Sequence, residues 1–104
     1  MKNIILNKIA TLKTELQKDG IDIIGIFGSY ARGDYRENSD VDILYRLQNP
    51  QKFAKEHNGW GAFTKLVEVK EYISNKLDKK VDFVSKDSLN KVGKKFILRD
   101  LEYV

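Results

Sequence analysis

The chain has 104 residues, 41% hydrophobic and 33% charged, a globular composition that fits one domain spanning 1–104 and is too short for two. It has no cysteine, which excludes disulfides and thiolate metal sites. Nineteen Lys and Arg against fifteen Asp and Glu leave a formal charge of +4; with local pairs only at Lys79-Lys80 and Lys94-Lys95, this reads as solvated faces rather than a nucleic-acid surface.

The N-terminal stretch MKNIILNKIATLKTEL is soon broken by lysines and a glutamate, and no small-residue cleavage site follows. No apolar run approaches the ~20 residues needed to span a bilayer. The expectation is a cytoplasmic protein with no membrane partner. Ile5, Ile9, Leu12 and Leu16 recur at helical spacing, and Gly20 follows in the place of a C-terminal cap. Residues 21–27, IDIIGIF, read as a strand buried on both faces. Residues 29–36 form a short helix or turn interrupted by Gly33.

DVDILYRL, residues 40–47, is the second strand. Pro50 lies in the loop after it, and residues 50–61 read as irregular, with Asn58-Gly59 and Gly61 as turn signals. Phe63, Leu66, Ile73 and Leu77 mark a helix from about residue 62 to 77. VDFVS, residues 81–85, is a third strand. Asp87 or Ser88 is placed to cap a last helix carrying Leu89, Val92, Phe96 and Leu101, with Gly93 as its weak point. Helices covering a small sheet make an α/β layer structure.

The chemistry gathers at strand ends. Alternate strand residues share a face, so Asp40 and Asp42 project together while Val41 and Ile43 point the other way. Two adjacent carboxylates repel, a conflict that a divalent cation removes. Mg²⁺ takes oxygen ligands and is typically shared between one or two carboxylates and substrate phosphates. A third carboxylate would complete a two-metal site for phosphoryl or nucleotidyl transfer. Asp82, the acid inside the third strand, is the best candidate, because an acid among Val81, Phe83 and Val84 is costly unless paired or ligated.

Gly28-Ser29 supplies the other half. Glycine ends a strand and opens a turn where free N–H groups can face a phosphate, and the Ser29 hydroxyl can donate to a phosphate oxygen. Arg32 lies one turn on, within reach of the same triphosphate. Each feature alone has a structural explanation: a Gly-Ser turn, a solvated strand start, a strand-edge acid beside a lysine, a surface cation. Their joint occurrence at strand ends is what points to chemistry.

The string GSYARGDYRENSDVDIL, with Gly28-Ser29, ten residues, then Asp40-x-Asp42, resembles nucleotidyltransferases of the DNA polymerase beta-like fold, and most closely the minimal nucleotidyltransferases encoded beside HEPN-domain ribonucleases. The resemblance implies an α+β fold with a small mixed sheet flanked by helices. It implies that Gly28 and Ser29 bind nucleotide phosphates, that Asp40 and Asp42 bind two Mg²⁺ ions, and that Asp82 is the third carboxylate. Arg32, Arg36 and Ser39 take supporting roles, with Arg32 and Ser39 on the nucleotide. It further implies AMP transfer from ATP to a tyrosine of a HEPN toxin, and so an antitoxin. So short a chain leaves almost nothing for acceptor recognition, which points to a macromolecular acceptor bringing its own docking surface.

Two alternatives stay open: an antitoxin that neutralises by binding alone, and transfer to a small molecule or an RNA end. Outside the motif, His57 sits in a polar loop and reads as solvent-exposed. Trp60 and Phe63 either clamp the following helix or offer a surface for a partner or an adenine ring. The closing RDLEYV is a packed terminus or a partner contact.

Overall fold

The computed structural model describes residues 1–104. Ile5, Ile9, Leu12 and Leu16 are all buried along α1 (Lys2–Gln17), as their spacing predicts. Gly20 follows at φ +79°, turning the chain into β1 (Ile21–Phe27). The five-residue helix α2 (Gly28–Arg32) begins directly where β1 stops. After a loop comes β2 (Val41–Leu47), so Asp40 stands immediately before the strand rather than inside it.

The segment after β2 departs from expectation. Residues 50–56 are not irregular: they form α3 (Pro50–Glu56). Pro50 occupies the first turn, where its missing N–H costs nothing, and the Asn49 side chain accepts from Lys52 N at 3.0 Å. Phe53 is driven into the core. α4 (Trp60–Leu77) follows. It buries Val69, Ile73 and Leu77, while Phe63, expected on the core face, is 69% exposed.

β3 (Val81–Ser85) leads through a 3-10 turn (Lys86–Ser88) into α5 (Lys91–Asp100) and the two-residue strand β4 (Glu102–Tyr103). The cap of α5 is neither Asp87 nor Ser88 but Asn90, whose Oδ1 accepts from Gly93 N at 2.8 Å. Gly93 thus sits in the capped first turn, where glycine is less costly than in mid-helix. Leu89 and Leu101 fall outside the helix, and none of its residues is buried.

The sheet order is β3-β2-β1-β4. β1 runs antiparallel to both β2 and β4, while β2 and β3 run parallel, so the sheet is mixed, as the resemblance implies. Sixteen buried residues make one cluster, to which α1 and α4 contribute against the apolar face of β1, β2 and β3. The opposite face of β1 is only half-buried at Asp22, Ile24 and Phe27, so the expected burial on both faces is not found there. β4 approaches β1 so closely that a Cβ on Gly25 would overlap the Glu102 carbonyl. No helix is long and apolar enough to cross a membrane.

Candidate functional site

The face of the sheet opposite α1 and α4 brings the acids together. Val41 and Ile43 bury themselves in the core, and the two-residue period of the strand turns Asp42 to the other side. There Asp42 pairs with Phe27 of β1 on one flank. On its other flank it pairs with Asp82 of β3, in parallel register. Neighbouring strands lie only ~4.8 Å apart, so Asp82 is the lateral neighbour of Asp42. β3 is an edge strand and Asp82 is exposed. Its burial cost is therefore small, and what singles it out is its register against Asp42, not its apolar neighbours in sequence.

Gly28 follows Phe27 at φ +70° and packs against the Asp42 carboxylate, which occupies the place of a Cβ. The Gly28-Ser29 turn and the acidic strand are thus in direct contact. α2 is too short to carry much of a macrodipole; it offers the unpaired N–H groups of a first turn and the half-exposed Ser29. Tyr30 anchors it, fully buried and stacked on Tyr35 with ring centroids 4.3 Å apart and planes within 4°.

Arg32 reaches the rim of this site, but its guanidinium is held by two carboxylates. Nε donates to Asp34 Oδ2 at 3.2 Å and Nη1 to Asp100 Oδ2 at 3.1 Å. Ser39 Oγ accepts from Arg36 N at 2.8 Å, closing a turn; its hydroxyl proton stays available to a ligand. Arg36 itself is exposed. Lys79 Nζ donates to Glu37 O at 2.7 Å, tying this loop to the approach of β3. One participant carries no signal in the motif: Asp100, which lies 68 positions from Arg32; Tyr30 lies inside the string and serves as an anchor.

The electrostatics show the crowding. The Asp42 carboxyl is pushed up to about 6, first by desolvation, then by the charges of Asp82 and Asp40, with Arg32 opposing. The three carboxylates are neighbours rather than a closed ligand shell, since no group of three acidic or histidine side chains converges that tightly. An all-oxygen donor set of like charges, exposed on one side, is nevertheless what a hard dication takes when phosphates complete its coordination. His57 lies apart, its Nδ1 2.8 Å from Phe53 O and its ring against Phe53. Trp60 does not clamp α4; it is 90% exposed.

The chain resembles known proteins in sequence and in fold. Residues 9–104 match the family model described as a nucleotidyltransferase domain. The chain is 34% identical over 109 residues to protein adenylyltransferase MntA of Thermococcus cleftensis, covering 100% of both chains. A solved structure described as a minimal nucleotidyltransferase superposes with a TM-score of 0.72 at 24% identity, over 98% of this chain and 93% of the other. A crystal structure of a toxin-antitoxin with AMP-PNP superposes with a TM-score of 0.65 at 24% identity, over 93% and 69%. These two structural likenesses carry the fold alone.

Proposed function

The chain belongs to the nucleotidyltransferase-domain family, and we propose that it transfers AMP from ATP to a tyrosine hydroxyl of a HEPN-domain ribonuclease toxin, acting as that toxin's antitoxin. One observation carries the proposal: Asp42 stands in register with Asp82 on one side and against Gly28 on the other. The kinship with a protein adenylyltransferase supports AMP as the transferred group; the toxin-antitoxin structure with AMP-PNP shares the fold.

Asp40, Asp42 and Asp82 would hold two Mg²⁺ ions, which when bound polarise the attacking and leaving oxygens. The N–H groups at Gly28 and Ser29, with the Ser29 hydroxyl, receive the phosphates. Arg32 adds positive charge on the leaving-group side. Asp82, exposed on the edge strand beside Asp42, accepts the proton of the acceptor hydroxyl. That oxygen bonds to the α-phosphorus, the bridge to the β-phosphate breaks, and pyrophosphate leaves.

The test is transfer of label from α-labelled ATP, with Mg²⁺, to the product of the adjacent gene. Label is expected on a toxin tyrosine and is expected to disappear in Asp40→Asn and Asp42→Asn. Label transfer that survives both substitutions overturns the site. Cells protected from the toxin by the double variant would show neutralisation by binding alone.

A further inference from the structure

We infer that the acceptor protein docks on the α4–β3 edge, with an apolar side chain and an adjacent carboxylate seated in the groove lined by Tyr45, Phe63, Leu66, Val67, Lys70 and Phe83. This inference rests on the transfer reaction proposed above.

The lateral order of the sheet carries it. Asp82 stands on β3, Asp42 on β2, and the phosphate turn follows β1. In-line displacement needs the attacking oxygen and the leaving pyrophosphate on opposite sides of the phosphorus. With the phosphates on the β1 side, the acceptor must enter from the β3 side. β3 is the sheet edge there, so nothing of this chain stands beyond it in the sheet.

That same edge carries an apolar strip. Trp60, Phe63 and Val67 recur at helical spacing on α4 and are 90%, 69% and 39% exposed. Phe83 adjoins them on the α4 face of β3, the face opposite Asp82; its ring stacks on Tyr45 at 4.0 Å, which fixes the groove floor, so an acceptor seated there reaches Asp82 around the sheet edge. A solvated tryptophan beside a phenylalanine is the composition of an interface anchor rather than of an ordinary surface. The one charged lining residue is Lys70, so the complementary occupant bears a carboxylate beside its apolar anchor. An equally exposed pair, Val92 and Phe96 on α5, lies on the α2 side; Arg99 already covers Phe96 at 5.3 Å.

The experiment compares wild type, Trp60→Ala, Phe63→Asp and Phe96→Asp for affinity to the HEPN-domain protein, for AMP transfer, for ATP affinity and for thermal midpoint. Trp60→Ala and Phe63→Asp should weaken the complex by about tenfold or more and reduce transfer in parallel, while ATP affinity and the midpoint hold. Phe96→Asp should leave the complex intact. An unchanged complex in Phe63→Asp overturns the inference, as does loss of ATP affinity in Trp60→Ala, which would make the strip a base-stacking surface. Self-association of the wild type that Phe63→Asp abolishes without affecting the toxin complex also overturns it. A wild-type complex that forms without any label transfer counts against the proposed reaction instead, and the docking surface is then judged on affinity alone.

Discussion

Asp42 fills the space that a side chain on Gly28 would need: a Cβ there would overlap the carboxylate oxygen Oδ2. Gly28 also holds φ +70°, a conformation that side chains resist. The contact joins the end of β1 to the start of β2 and brings the Gly28-Ser29 turn and the acid together.

Gly28→Ala should therefore harm both folding and catalysis. The positive φ alone costs roughly 1–2 kcal/mol, and each kcal/mol lowers the midpoint of a chain this size by roughly 4–8 °C. Displacing the Asp42 carboxylate by an ångström is worth about a hundredfold in rate. Thermal melts and label transfer measure the two effects separately.

The raised pKa of Asp42 sets a pH dependence. Its folded value of about 6 lies above the ordinary 3.8, so in this window the folded state binds more protons than the unfolded one. Stability from this group is thus lost as pH rises from about 4 through 6, and the penalty is fully present at neutral pH. Asp42→Asn should melt higher than wild type at pH 7, with the difference vanishing near pH 4. Added Mg²⁺ should raise the wild-type midpoint more at pH 7 than at pH 5, and should do little for the variant.

Arg32 is shared between Asp34 and Asp100, so a triphosphate must compete with these carboxylates. Asp100→Asn should tighten ATP binding a few-fold, whereas Arg32→Ala should weaken it by about tenfold. Calorimetric titration distinguishes the two directions. Weaker binding in Asp100→Asn would instead make Asp100 a positioning residue for the guanidinium.

Phe53 tests the helix that composition hides. Buried at 4% exposure in the main core, it should cost about 3–5 kcal/mol on truncation to alanine. Chemical denaturation would show this; a change within about 0.5 kcal/mol, typical of surface sites, would mean that α3 does not pack there.

Much of the arrangement follows from local pattern. The four-three-four spacing of Ile5, Ile9, Leu12 and Leu16 needs only the helical period to face the core. The alternation through Asp40-Val41-Asp42-Ile43 needs only the strand period to turn the acids away from it. α3 was obscured because its seven residues carry a single core side chain, too few for a period. Pro50 and Asn49 were its only local marks, and they serve loops equally well. The expected caps of α5, Asp87 or Ser88, lie three and two residues before the observed Asn90 because all three are competent caps, and only the geometry of Gly93 N chooses among them.

The sequence by itself determined which side chains share a face and where backbone N–H groups lie open, since these depend on periods of two and 3.6 residues within one segment. Only the tertiary structure decided that Asp82 stands beside Asp42, that Arg32 meets Asp100, and that Trp60 and Phe63 remain in solvent. Those outcomes depend on which strand pairs with which, in what register, and how much of α4 the sheet can cover. Register is set by the burial of one whole face, here Val81 against Val41, and a shift of one residue would turn Asp82 to the other side. No local period encodes a choice made between segments forty residues apart.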